Sequence, residues 1–270
     1  MIRQIVAILL LSLAAILPGA SSWAQPAQSQ LAQSQSMPGQ SAMPQSSSGG
    51  FTAQQRQAIV DIVRQALKSD PSILRDAVTA LQADDGARQE AATSAAIASS
   101  EHALIHTPGD PVGGNPNGDV TLVEFFDVRC PYCRRMLPVL AELLRRDRNI
   151  RLVYKDIPIL GPASVLGTRA ELAAQKQGGY QKMHDALMAG TPDIDESVVQ
   201  SAAQRAGLNW SQLQRDMNDP AVQARIDANL QLAHALQVQG TPAYVVGDEM
   251  LPGAVALADL QEAVGAARKR

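Results

Sequence analysis

Phe125-Phe126-Asp127-Val128-Arg129-Cys130-Pro131-Tyr132-Cys133-Arg134 is the stretch on which the fold turns. Before it, Val120 to Phe126 is a compact run of β-branched and aromatic residues, which predicts a strand buried on both faces. After it, Met136, Leu137, Leu140, Leu143 and Leu144 recur at helical spacing, predicting a helix from Pro131 to about Arg146. Proline suits the first helical turn, where its missing N–H has no partner to lose. Ile150 to Tyr154 predicts a second strand, and a strand–helix–strand unit implies parallel pairing. Cys130 would then stand at a helix N-terminus, where unpaired amides and the dipole favour an anion. That placement lowers a thiol pKa and activates the sulfur as a nucleophile. Cys133, one turn in, can resolve a mixed disulfide by attacking Cys130.

These two are the only cysteines in 270 residues. A disulfide-stapled exported protein would spread more of them along the chain. A zinc site needs four ligands as a rule, and neither a second cysteine pair nor a paired-histidine motif is present to supply them. The sequence asks for no cofactor and no metal. A formal charge of −3 and a pI near 5.8 exclude the basic face expected of a nucleic-acid binder.

Further out, residues 162–238 read as helical, with breaks at Gly178-Gly179, Thr191-Pro192, Gly207 and Asp219-Pro220. Strand character returns at Ala243 to Val246, a short strand follows the Gly247-Asp248 turn, and Leu257 to Ala267 closes as a helix. The expected class is α/β, a thioredoxin-like plan with an inserted helical block.

N-terminally, Arg3 precedes an apolar run from Ile5 to Leu17, and Ser22-Trp23-Ala24 supplies small residues for cleavage. The run is too short for the roughly 20 residues that span a bilayer, so 1–24 reads as a cleaved signal peptide. Residues 25–50, rich in Gln, Ser, Pro, Ala and Gly, read as a low-complexity linker. Thr52 to Gln55 has capping-box form. Ile59, Ile62, Val63, Ala66 and Leu67 follow at helical spacing, and Asp70-Pro71 starts a second helix carrying Ile73, Leu74, Ala77, Val78 and Leu81. A third helical stretch covers about Ala87 to Ala103. Residues 51–105 thus form a helical segment whose apolar stripes need a partner, either the main domain or the same segment in another subunit. Self-association is the preferred reading, because the Pro-, Gly- and Asn-rich stretch 106–118, a loop or hairpin, intervenes before the catalytic domain, taken as 106–270.

Taken together, the decapeptide and three further stretches resemble the Dsb-type periplasmic oxidoreductases of the thioredoxin superfamily. Those stretches are Lys155 to Pro162, which leads into the inserted helices, Gln181 to Met188 within them, and Val238 to Ala243. Segment 51–105 is similar to the N-terminal extension of suppressor-of-copper-sensitivity protein C and its relatives, some of them trimeric disulfide isomerases and others monomeric. The resemblance implies thiol–disulfide exchange in the periplasm on exported clients, with a membrane redox partner. It implies a cis bond at Thr241-Pro242 facing Cys130 and binding the client backbone. It implies a role for Glu124, six residues before Cys130, in moving the Cys133 proton, and for Tyr132 in tuning the thiol and touching client. His184 reads as a satisfied structural histidine. Arg129, Arg134 and Arg135 either lower the Cys130 pKa or are solvated at a helix start. Isomerase or reductase work by a homo-oligomer such as a trimer is the preferred function. A monomer would favour oxidase work, and a thiol pair also suits Cu(I), so a copper-binding or chaperone-like role is the alternative.

Overall fold

The computed structural model describes residues 50–269, so the expected signal peptide and the linker up to residue 49 lie outside it. Among the described residues no helix is long and apolar enough to cross a membrane. They divide into two units, one ending at Ile62 and one running from Val63.

The first unit opens with the capping box the sequence predicts. Thr52 N–H donates to Gln55 Oε1 at 2.8 Å, and Gln55 N–H donates to Thr52 Oγ1 at 3.2 Å. Helix α1 (Ala53–Ser69) follows and continues into the second unit. Asp70 Oδ1 then accepts from the Ser72 amide at 3.0 Å and starts α2 (Ser72–Ser99). The structure corrects one expectation here. The second and third helical stretches are a single 28-residue helix, because nothing at Asp84-Asp85-Gly86 breaks the ladder. A glycine inside a helix costs only about 1 kcal/mol, and the Ala-rich flanks carry it. Helix α3 (Glu101–Ile105) is set off from α2 only at Ser100.

The second unit is built on a five-stranded sheet with order β1-β3-β2-β4-β5. Its strands are β1 (Val112–Gly114), β2 (Val120–Phe126), β3 (Ile150–Asp156), β4 (Ala243–Val246) and β5 (Glu249–Pro252). Strands β2 and β3 pair in parallel, and the other pairs are antiparallel. The loop or hairpin expected over 106–118 contributes the edge strand β1. Between β2 and β3 runs α4 (Pro131–Arg146). Between β3 and β4 lie α5 (Pro162–Gln175), α6 (Tyr180–Met188), α7 (Glu196–Arg205), α8 (Trp210–Asp216) and α9 (Pro220–Ala235), and α10 (Leu257–Ala267) ends the chain. This is the inserted thioredoxin-like plan, with every expected break in the helical block in place.

Side-chain alternation explains why β2 reads as almost continuously apolar: both sheet faces are covered. Leu122 and Phe126 join Leu152, Tyr154, Tyr244 and Val246 under α4, α10 and the inserted helices. Val123 and Phe125 face the other way, with Val153, Val245 and the end of α9. Ile97 of α2 and Leu104 of α3 are buried in that second cluster, so the last part of the helical segment packs onto the sheet. A buried ion cluster pins it. Lys155 of β3 binds Asp110 and donates to the Ala103 carbonyl at 2.6 Å, while Arg225 of α9 reaches Asp110 at 2.5 Å.

Polar caps fix the inserted helices. Asp195, Asn209 and Asp219 each accept a backbone N–H of the first turn they precede. Asn209→Ala removes one such bond (2.9 Å from Gln212 N) and should cost about 1 kcal/mol. Urea unfolding should show it as a lower midpoint with an unchanged slope.

Candidate active site

Cys130 is the residue before the first turn of α4, in extended conformation, with Pro131 at the first helical position. The Asp127 carbonyl accepts the Cys130 N–H at 2.9 Å, closing the turn that aims the sulfur across the helix mouth. Asp127 also holds this turn with its carboxylate. Oδ1 accepts from Arg129 N and Ser164 Oγ, each at 2.8 Å, and Oδ2 accepts from Ile159 N at 2.9 Å and Leu160 N at 3.0 Å. This buried acid joins the strand-to-helix turn to the segment leading into α5. Helix α5 comes close there because residue 167 is glycine: a Cβ would meet Val128 Cγ1 at 2.7 Å.

The two thiols are in hydrogen-bonding contact. The Cys133 thiol stabilises a Cys130 thiolate most, opposed by burial, and the Thr241 side chain and the amides of Cys133 and Tyr132 add to it. Together they bring the Cys130 pKa down to about 5. Cys133 is pushed far the other way, first by its hydrogen bond to Cys130 and then by burial. The surroundings thus favour one sulfur as an anion and its neighbour as a thiol, the asymmetry that a nucleophile and its resolver would need. As a thiol, Cys130 donates to the Thr241 carbonyl at 3.2 Å, and the Thr241-Pro242 bond is cis.

Glu124 is fully enclosed on the α4 face of the sheet, between its strand neighbours Tyr154 and Tyr244. The Tyr244 hydroxyl donates to its Oε1 at 3.2 Å, and burial raises its pKa to about 7. Tyr132 is half exposed beside the nucleophile, with the Arg135 guanidinium 4.3 Å from its ring centroid. Among the described residues, the exposed large apolar side chains after residue 100 are Tyr132, Ile159 and Leu160. The amides of the last two are the ones Asp127 Oδ2 binds, so they belong to the same surroundings.

Several expectations change. Arg134 is no solvated arginine: its guanidinium donates to the carbonyls of Val128, Met188, Gly190 and Thr191, tying the helical block to the active-site turn. Arg129 does the same through the Pro192 and Leu160 carbonyls, each at 2.7 Å. Arg135 lies over Tyr132. His184 is only half satisfied: Nδ1 is 3.1 Å from Glu171 Oε1, but Nε2 is buried without a hydrogen-bond partner. Asp127 went unnoticed in the sequence because a lone aspartate in a turn carries no pattern that separates it from an ordinary cap.

Residues 121–265 match the family described as DSBA-like thioredoxin domain, and residues 55–92 match the copper resistance protein ScsC N-terminal domain. A thioredoxin-like oxidoreductase from Silicibacter pomeroyi is 47% identical with a TM-score of 0.61, over 63% of this chain and 98% of that one. Proteus mirabilis ScsC in a transitional conformation is 29% identical with a TM-score of 0.59, over 80% of this chain and 96% of that one. A curated relative, Na(+)/H(+) antiporter NhaA 1 of Salinispora arenicola, is 31% identical over 58% of this chain, which spans only 24% of that protein's length.

Proposed function

The chain belongs to the family of DSBA-like thioredoxin domains, and from that premise we propose that it is a disulfide isomerase and reductase of exported proteins, acting in the periplasm as a homo-oligomer. Thiol–disulfide exchange itself is supported by the family match and by the likeness to the thiol-disulfide exchange protein alpha-DsbA2 from Wolbachia pipientis. The split between the two sulfurs, a thiolate at the mouth of α4 and a thiol one turn in, supports a nucleophile and a resolver; the choice of isomerase over oxidase rests on the oligomer reading below.

In the first step the Cys130 thiolate attacks one sulfur of a client disulfide. A Cys130–client S–S bond forms, and the client's other sulfur leaves as a thiolate. That thiolate can attack a different client disulfide, which reshuffles the client and eventually releases Cys130 unchanged. Alternatively the Cys133 thiol gives its proton to Glu124 and attacks Cys130 Sγ. The Cys130–Cys133 bond then forms, and the client leaves with two more electrons, its departing thiolate taking up a proton. A membrane reductant would restore the pair. The Thr241 carbonyl and Pro242 would receive the client backbone in an extended pose, with Tyr132, Ile159 and Leu160 as its apolar contacts.

The oligomer reading rests on unpaired aliphatic side chains. Ile59, Val60 and Ile62 of the first unit are exposed, as are Val63, Ile73, Leu74, Val78 and Leu81 of the second. Exposed aliphatic side chains at helical spacing are commonly covered by a partner, and the match of 55–92 to the ScsC N-terminal domain supports a second copy of this chain as that partner. On this reading 51–105 assembles and 106–270 catalyses, with Ile97 and Leu104 anchoring one to the other.

Light scattering on the protein without residues 1–24 should give a multiple of the chain mass, and the same sample should reactivate a scrambled-disulfide client. A monomer that oxidises reduced clients but cannot reshuffle them would replace this reading with an oxidase. The ScsC match also bears on Cu(I), a soft ion suited to thiolates. Tight Cu(I) binding with no exchange activity would replace catalysis with copper holding.

A further inference from the structure

The Asp127 carboxylate is fully buried, and its two oxygens serve two different segments. Oδ1 accepts from the Arg129 amide, inside the turn that delivers Cys130, and from the Ser164 hydroxyl at the start of α5. Oδ2 accepts from the amides of Ile159 and Leu160. Arg129 grips the same loop from the other side, its Nη1 donating to the Leu160 carbonyl at 2.7 Å. The loop is stiff for local reasons as well. Pro158 and Pro162 each fix a backbone angle, and Gly161 turns the chain into α5 at a φ of +97°. Ile157 takes the inward position, at 2% exposure. The backbone of 159 and 160 is therefore held by the active-site turn, and the two side chains are left in solvent, 46% and 44% exposed.

We propose that Ile159 and Leu160 are specificity-determining residues of exchange, and that Asp127, helped by Arg129, is the positioning residue that fixes them beside Cys130. Their ligand is a client segment with a large aliphatic or aromatic side chain within about two residues of its disulfide cysteine. This deepens the reading of the chain as a thiol–disulfide exchanger and rests on it. Single apolar side chains on a surface are ordinary. These two differ because one buried carboxylate ties them to the turn of the nucleophile, so a client sulfur brought to Cys130 carries its flanking side chains to the same place. A ledge whose backbone is already held pays little ordering entropy when it is covered, so its apolar area goes into binding. A client with polar residues at those positions forfeits that contact.

Two short peptides that differ only beside a single cysteine, with leucine on both sides in one and serine in the other, test this. Each cysteine carries a coloured aromatic thiol as a mixed disulfide. When reduced protein is added, Cys130 attacks the peptide sulfur, the Cys130–peptide bond forms, and the aromatic thiolate leaves and is read by its absorbance. Reaction of both peptides with glutathione gives their intrinsic difference, which is divided out. The leucine peptide should react about tenfold faster, the worth of half-burying one leucine side chain. Ile159→Ser combined with Leu160→Ser should remove most of that preference. Asp127→Asn should lower it too, because an amide has one accepting oxygen where four donors now use two. A merely structural Asp127 would slow both peptides alike and leave their ratio in place. If Asp127→Asn does not fold, Arg129→Gln, which frees the Leu160 carbonyl, reads the same coupling and should also lower the ratio. Equal rates for the two peptides with unsubstituted protein, or a preference that survives the double serine variant, overturn the proposal. A preference kept in folded Asp127→Asn, or in Arg129→Gln where that variant stands in, overturns the positioning role. Unsubstituted protein that releases thiol from neither peptide faster than glutathione does would overturn the exchange reading itself.

Discussion

Cys130→Ser should reduce disulfide exchange to the uncatalysed background, a loss of about 10³-fold or more, equivalent to over ~4 kcal/mol of barrier. A serine hydroxyl neither ionises near neutral pH nor forms the mixed disulfide, so no residual pathway through the site remains. Cys133→Ser behaves differently. It leaves the nucleophile, its amide donors and the Thr241 contact in place, and deletes the escape route. It also removes the thiol that stabilises the Cys130 anion most, so the first attack should persist with a raised Cys130 pKa. The Cys133→Ser protein should accumulate as a covalent complex with client, visible on non-reducing gels and released by added thiol. Turnover of client by Cys130→Ser at an undiminished rate would overturn the assignment of the nucleophile.

The sequence made these two roles legible because the helix-start geometry is local. A strand, a two-residue turn and a proline at the first helical position leave the sulfur only one place to stand, and spacing alone puts its partner a turn away. The five helices of the inserted block were equally readable, since each break carries a glycine or a capped proline. What escaped the sequence lies in contacts between distant segments. Arg134 meets carbonyls of residues 188, 190 and 191, and Asp127 meets amides at 159 and 160; no periodicity announces either. Asp156 and Glu171 escaped for a related reason: one ends a strand and the other sits in an Ala-rich helix, both positions where a solvated carboxylate is the ordinary reading, yet tertiary packing buries both completely. The continuous α2 was missed through local rules: two aspartates and a glycine look like a break, yet length and alanine content prevail.

The stability of the reduced protein relative to the oxidised one should rise by about 2 kcal/mol between pH 5 and pH 7, after allowance for solvent at the mouth of the site. The sign follows from the Cys130 thiol, whose pKa falls from an ordinary 9.0 to about 5 in the folded, reduced state. A depressed folded pKa means that the unfolded chain binds the extra proton, so stability climbs with pH through this window and is complete only above the unfolded value. It is lost as pH falls through about 5. The oxidised protein has no thiol to titrate and lacks the contribution. The acids with raised values, Glu124 near 7 and Glu171 near 8, titrate in both redox forms, so most of their effect cancels in the difference. Paired thermal scans of reduced and oxidised protein across this range measure it directly. Because the disulfide becomes easier to reduce by whatever free energy the thiolate gains, the same curve reports the oxidising strength of the pair. A difference that stays flat from pH 5 to 7 would mean that the helix mouth does not hold an anion, and the division of labour between the two sulfurs would lose its basis.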